Sequence, residues 1–290
     1  MIEIIFQSSA DARNFHEQLH GRLLPSSQTD KKTLQFEGQH IVKIFIDHHI
    51  KDLECVKEVF CQFIVNRKQD DWFRKILMEN YYYEDEGEQQ QILEIIHSIL
   101  EGNREDLAAF VSDLDVNGSL KCAIDQLFQE NISFSFDSFV KFRMRPLMDQ
   151  MAKYVEVSID EYKMEQEYQM FIQTLRDFLS GRKAKLDKIH ILMDEGITFF
   201  DDQFYEMKRG ELLRMIDRKL ISNHPVYVDS GTIAPLLSIA PSCIYLYSDD
   251  YEQPLVRTIR NIFEERLVLD SISAFYENKR FYPYAADEKM

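Results

Sequence analysis

Cysteine is scarce and scattered in this chain: Cys55, Cys61, Cys122 and Cys243 are the only four among 290 residues, and no two form a CxxC pair. That excludes zinc-ribbon and thioredoxin-type chemistry and leaves them as reduced, mostly buried small hydrophobes. Glycine (nine) and proline (seven) are also few, so long flexible linkers are not expected. No GxxxxGK[ST], GxGxxG or GxSxG motif occurs, and neither a phosphate loop nor a nucleophile elbow is offered. No stretch approaches the ~18 apolar residues of a membrane span. The opening MIEIIFQSS has an acid at position 3 and only a short apolar run, which reads as a strand rather than a signal peptide. The expected location is the cytoplasm.

Positive charge is short as well. Thirty-four Lys and Arg face fifty Asp and Glu, a formal net charge of −16. Neutralising phosphates needs a basic face, and anionic membranes attract basic segments. Neither nucleic acid nor a membrane is therefore the expected partner, which leaves another protein.

What the chain does have is apolar periodicity, with 45% hydrophobic residues and room for a sizeable core. Its longest helical reading runs from Asp137 to Ser180. Ser135 and Asp137 are N-cap candidates, and Pro146 stands where a new helix can begin. Leu147, Met151, Val155, Ser158 and Tyr162 recur every three or four residues on one face. Beyond Tyr162 the stripe rotates to Met164, Tyr168, Phe171, Leu175, Phe178 and Leu179. A helix whose apolar face turns must bend, break or pack different neighbours at its two ends.

Around this helix, Ile2–Phe6 reads as a strand and Ala10–Leu23 as a helix. Leu34–Phe36 and Ile41–Ile46 flank Glu37-Gly38-Gln39 as a hairpin. Helices follow at Leu53–Val65, Asp71–Asn80, Gln90–Leu100, Glu105–Leu114 and Leu120–Phe128. After the long helix, Lys188–Met193 and Ile197–Asp201 form a second hairpin about Asp194-Glu195-Gly196. Glu211–Leu220 and Thr232–Ile239 are helical, Cys243–Tyr247 is a strand, Leu255–Arg266 is a helix and Val268–Ser273 is a last strand. The fold class expected is α+β, predominantly helical. It has a small βαββ start (1–50), a helical middle (51–131), and a core with one long central helix and a C-terminal α/β portion (132–290).

Four blocks resemble a known family. Ile132-Ser133-Phe134 through FVKFRM, IDEYKMEQEYQMFIQTLRDFL, TIAPLLSIAPSCIYLYS and VRTIRNIFEERLVL resemble, in the same order, blocks of the YtxC-like sporulation proteins of endospore-forming bacteria. The chain departs from their pattern at Gln166, where Lys is usual, and at Tyr247, where His is common. It also lacks a cysteine after Leu269, so a metal or redox role resting on a cysteine cluster there is not implied. The resemblance implies a cytoplasmic, sporulation-associated protein.

His16-Glu17-Gln18-Leu19-His20 matches HExxH, in which two His one turn apart bind zinc and Glu is the base. Zincins place a sheet before that helix, and only a few residues precede it here; Gly21-Arg22 also follows where an apolar residue should. The triad is read as an exposed helix face, with no metal. Glu94-x-x-His97 lacks the second ExxH helix of a di-iron site, and His48-His49 reads as a solvated turn. No cofactor is implied.

The remaining constellation is Glu161, Glu165, Glu167 and Tyr168, with Arg143 upstream. Glu161 and Glu165 lie at i and i+4 beside the second stripe, where two carboxylates call for a cation, and Arg143 is the candidate. The group is a salt-bridge network, a binding pocket for a ligand or partner, or an acid–base pair. The function expected is that of a non-enzymatic protein-interaction module. The alternative is a small-molecule binder or enzyme using this cluster or the strand ends near Ser248-Asp249-Asp250. The oligomeric state is left open.

Overall fold

A computed structural model describes residues 1–23, 34–45, 50–128, 132–217 and 231–282. His48-His49 and the last eight residues lie outside them. The chain divides into two compact units, Met1–Glu165 and Gln166–Met290.

The first unit is built on a four-stranded sheet in the order β2-β3-β1-β4, from β1 (Ile2–Ile5), β2 (Leu34–Glu37), β3 (Ile41–Ile44) and β4 (Ile132–Ser135). The expected hairpin is present: β2 and β3 pair antiparallel, and Gly38 and Gln39 between them both take positive φ, as a tight turn requires. Strand alternation then sorts the side chains. Ile2, Ile4, Val42 and Ile44 are buried, while Glu3 and Lys43 face each other on the outer side. There Lys43 Nζ lies 2.6 Å from Glu37 and 3.6 Å from Glu3, and Ser133 Oγ donates to Glu3 at 2.8 Å.

β4 is the element that the sequence did not disclose. It pairs parallel with β1, Ile2 opposite Ile132. The boundary between residues 131 and 132 drawn from the sequence therefore does not coincide with the boundary between compact units, because residues 132–135 complete the N-terminal sheet. Helices α1 (Ser9–Leu23), α2 (Ile50–Phe63), α3 (Gln69–Tyr81), α4 (Glu86–Leu100), the short α5 (Glu105–Ala108) and α6 (Val116–Leu127) share one core with the inner face of this sheet and with α7 (Phe136–Arg143). The expected helix Glu105–Leu114 thus stops at Ala108 and tightens into a 3-10 turn, Ala109–Val111. The core they enclose is aromatic. Phe6 stacks on Phe136 at 5.3 Å and meets Phe63 edge-on at 5.9 Å, and Phe15 meets Phe60 edge-on at 5.6 Å. Each such ring, fully buried, contributes about 2 kcal/mol of hydrophobic stabilisation, with a further increment from edge-to-face geometry.

Between α2 and α3 the chain makes a π-helical turn, Ile64–Lys68. The inserted residue shifts the phase of the helix, so that Phe63 and Phe73 can both point inward while Lys68 is carried to the side. Helix α8 (Arg145–Ser180) is the long helix, and Pro146 stands at its start, after Ser135 has capped α7 by accepting from Ser138 N–H at 3.4 Å. Its first stripe is buried as expected: Leu147, Met151, Val155, Ser158 and Tyr162 all lie in the core of the first unit.

In the second unit, the rest of α8 contributes Ile172, Leu175 and Leu179 to the core, with Phe171 and Phe178 partly buried. Met164 and Tyr168, placed at the head of the second stripe from the sequence, are exposed instead. The sheet here has the order β6-β5-β7-β8, from β5 (Lys188–Met193), β6 (Ile197–Phe200), β7 (Cys243–Tyr247) and β8 (Leu267–Asp270). β5 and β6 form the expected antiparallel hairpin, and β5, β7 and β8 run parallel. Helices α9 (Arg209–Met215), α10 (Ile233–Ile239) and α11 (Pro254–Phe263) pack with α8 on the Ile189, Ile191, Ile244 and Leu246 face. The opposite face is covered by Phe204 and by Phe275 of α12 (Ile272–Lys279). This helix replaces the end of the expected last strand: Ser271 Oγ accepts from Ala274 N–H and caps it.

Candidate functional site

The cation beside Glu161 is Arg104, not Arg143. Arg104 precedes α5 and aims its Nη2 at Glu161 Oε1, 2.5 Å away, and at Asp106 Oδ2, 3.0 Å away. Its Nη1 stands 4.0 Å from Glu165. The hydrogen bond to Asp106, then that to Glu161, holds its pKa above the already high arginine value. Arg143 closes α7, exposed, with no ion pair among the described residues. The reason is directional: Phe139 and Met144 turn their side of the α7–α8 junction into the core and leave Arg143 in solvent. Glu167 is exposed, and Tyr168 accepts from Asn261 Nδ2 at 3.1 Å within the second unit. The five residues grouped from the sequence therefore do not form one constellation. Two of the carboxylates share a cation that the sequence did not point to.

A cleft of roughly 1000 Å³ opens in the first unit. Its head is set by topology. β1 and β4 are parallel neighbours, and their carboxyl ends feed α1 and α7, leaving a crevice outside the strand ends. Phe6, Gln7 and Ser8 follow β1 into it, and Phe136 and Asp137 follow β4. The two turns are tied together, since Gln7 N–H donates to Asp137 Oδ2 at 3.2 Å. The cleft continues between α3, which supplies Trp72, Lys75, Ile76 and Glu79, and the α7–α8 segment, which supplies Val140, Lys141, Arg145, Met148, Asp149 and Ala152. From Lys68 to Asn80 the α3 wall rises through 12 residues, or about 18 Å at 1.5 Å each.

Apolar and charged side chains share the lining. Lys68, delivered by the π turn, lies 2.8 Å from Asp11 Oδ2 and 3.2 Å from Asp71 Oδ2. Burial works against its ammonium, but the hydrogen bond to Asp11 and the other pairings outweigh this, and its pKa stands above the ordinary lysine value. Four cations (Lys68, Lys75, Lys141, Arg145) balance four carboxylates (Asp11, Glu79, Asp137, Asp149) along the walls. The chain as a whole carries 34 against 50, so the lining is charge-balanced where the chain is acidic. The sequence signal for part of this was the alternating Lys141, Arg143, Arg145 in an otherwise acidic chain.

The other groups singled out from the sequence occupy structural positions. His16, half-buried, meets Phe36 in a tilted ring contact at 5.2 Å, and the His20 ring lies 6.0 Å from it on the exposed side. Burial, then the proximity of His20, lowers the His16 pKa. Among the described residues no group of three His, Cys, Asp or Glu is placed to hold a metal. His97 Nε2 lies 3.0 Å from Asp70. At the strand ends of the second unit, Ser248 Oγ donates to the Asp250 carbonyl, and Asp249 accepts from Ile272 N–H. These groups spend their hydrogen bonds on the turn and on α12. Behind them, His190 is buried between Phe204, 4.1 Å away, and Tyr245, 5.0 Å away, with Nδ1 3.0 Å from Tyr247 Oη. Burial, reinforced by Lys188, pushes its pKa down to about 4.

Among the described residues, no helix is long and apolar enough to cross a membrane. No solved structure matches the chain. A Bacillus subtilis (strain 168) protein bearing the name "Uncharacterized protein YtxC" is 35% identical over 276 residues, which cover 95% of this chain and 96% of that one. The sequence profile of the YtxC-like family matches residues 54–268, starting well before the first of the four blocks, at the head of α2 rather than at β4. The chain belongs to the YtxC-like family.

Proposed function

We propose that this protein serves sporulation from the cytoplasm as a binding component, docking a segment of another protein in the cleft between α3 and the α7–α8 segment and turning over no substrate. The observation that carries the reading is the lining of the cleft, where Trp72, Ile76, Val140 and Met148 stand among charged side chains along a wall about 18 Å long. That is the anatomy of a groove that buries apolar side chains of a partner and fixes their register by its rim. The most enclosed ionisable groups, Lys68 and Asp11, neutralise each other, and a lysine whose pKa is raised is a poor base. The sporulation role is supported by the four blocks shared with the sporulation family.

The test is complementation of a deletion in an endospore-forming host. Ala152→Trp fills the cleft from the α8 wall, with Ala152→Met as the milder filling variant. The expected result is that the wild-type gene restores heat-resistant spores and the filled variants, folded by circular dichroism, do not. Full sporulation with a filled cleft overturns the groove. Normal spore counts in the deletion strain itself overturn the sporulation role.

A further inference from the structure

The second unit has a core on each face of its sheet. The larger packs against α8, α9, α10 and α11, and the smaller holds the buried residues Leu192, Phe200, Phe204, Tyr247 and Phe275. His190 stands in the smaller one, 6% exposed. Its ring lies between Tyr245 of β7, 5.0 Å away, and Phe204, 4.1 Å away in the turn that follows β6. That turn is held by its own bonds: Asp201 Oδ1 accepts from Gln203 N–H at 3.0 Å and from Tyr205 N–H at 2.9 Å, and Phe204 takes positive φ. Beside it α12 packs on β5 and β7, and its single buried residue is Phe275. The Phe275 ring meets Phe204 at 5.5 Å, Phe200 at 4.9 Å and Tyr247 at 5.2 Å. The cover on this side is therefore one short turn and one side chain of an eight-residue helix.

We infer that α12 and the turn from Asp201 to Tyr205 are a detachable cap over His190, and that protonation of this ring releases the cap while the rest of the second unit stays folded. A neutral imidazole fits the site: Nδ1 lies 3.0 Å from Tyr247 Oη, and Asn278 of α12 faces the same hydroxyl. An imidazolium does not fit. A buried charge needs a partner or water, and among the described residues no carboxylate is within ion-pair distance of the ring. The charged groups around it act in both directions. Asp201 and Asp202 in the turn favour the proton and Lys188 on β5 opposes it. Lys279 of α12 adds a cation 4.8 Å from the Phe200 ring and 5.7 Å from that of Phe275. Tyr245, Tyr247 and Tyr276, with Asp270 near Tyr247, complete the surroundings. Burial outweighs the two aspartates, and the pKa is pushed down to about 4. Water reaches the ring most cheaply by lifting the side with the least buried surface. That side is the cap, since the opposite face of the sheet is closed by the larger core. Its release bares an aromatic face, Tyr245, Tyr247 and Phe200, that is covered at neutral pH.

Hydrogen exchange of the full-length protein tests this, read by mass spectrometry and divided by the intrinsic rates at each pH. A ring that titrates at about 4 when covered and at 6.5 when open makes the open cap about twentyfold more populated at pH 5 than at pH 7. The expected result is that fall in protection across α12, with β7 and α11 unchanged, and no such fall in His190→Gln. Phe275→Leu weakens the anchor and leaves the imidazole in place. It is expected to lower α12 protection at both pH values and to keep the twentyfold ratio, so it tests the cap even where His190→Gln does not fold. Equal protection of α12 at the two pH values overturns the inference. A fall shared equally by β7 and α11 shows the whole unit opening and overturns the cap. A fall that persists in His190→Gln assigns the proton to another group and overturns the role of His190.

Discussion

Arg104 and Glu161, 57 residues apart in sequence, meet at 2.5 Å with the carboxylate side chain only 12% exposed. A carboxylate that enclosed is costly to leave alone. Arg104→Met is therefore expected to destabilise the protein by about 2 kcal/mol, the range for losing a hydrogen bond to a charged group. Arg143→Met, at an exposed position without an ion pair, is expected to change stability by less than ~0.5 kcal/mol. Urea unfolding of the two variants side by side decides which arginine holds the helix. Equal effects would contradict the geometry.

His190 gives the second unit a pH-dependent stability of defined sign. Its pKa falls from 6.5 to about 4 on folding, so the unfolded chain binds a proton at higher pH than the folded one. The stabilisation is complete above the unfolded value and drains away as pH falls from 6.5 towards 4. It amounts to something on the order of 3 kcal/mol. Within the same fold, Asp201 and Asp202 oppose this shift and Lys188 adds to it. His190→Gln keeps a hydrogen-bonding group for Tyr247 but does not titrate. Its stability between pH 6.5 and 4 is expected to vary less than that of the wild-type protein. Parallel pH profiles for the two would place the titrating group elsewhere.

Tyr82 ends α3 in the left-handed region, at φ 61 and ψ 29, and the residue is 81% exposed. Tyr83 N–H reaches back to the Leu77 carbonyl at 3.1 Å, so the position is a helix C-cap that glycine fits without strain. Tyr82→Gly is expected to stabilise the protein by about 0.5 kcal/mol, since the ring makes little contact and the backbone strain is relieved. A lower melting temperature would show that the ring matters more than the backbone.

Zinc content tests the HExxH segment. The purified protein is expected to hold well under one zinc per chain, with the same content and the same thermal stability after His20→Ala. Stoichiometric zinc lost with that substitution would make His16 and His20 ligands.

The parts of the fold legible in the sequence were those fixed by local chemistry. Gly38 and Gln39 announced their turn, Ser135 its cap, and Pro146 the start of the long helix. Pairings between distant segments were not legible. Ile132–Ser135 is four residues with mixed burial, and nothing in it names Ile2–Ile5 as its partner. The same holds for the site. Glu161 was visible as a carboxylate in need of a cation, but Arg104 lies in a loop whose approach is set by α4 and α5, and the nearer Arg143 was the natural choice. The cleft depends on the π turn that redirects Lys68, a one-residue insertion that periodicity does not register. The rotated stripe of α8 was read a turn too early because Met164 and Tyr168 are apolar enough to count, yet stay in water.

The parallel pairing of β1 with β4 also sets a clock. β1 is made before its neighbour, which follows about 130 residues later. At 5–20 residues per second, roughly 7 to 26 s of synthesis separate the two. Throughout that interval the edge of β1 that will accept β4 is open, next to phenylalanines whose stacking partner Phe136 has not yet been made. An unpaired apolar edge held for seconds is a template for other chains. The nascent protein should therefore depend on chaperones most heavily just before residue 135 leaves the ribosome, and slowing translation upstream of that point should lower the yield of folded protein rather than raise it.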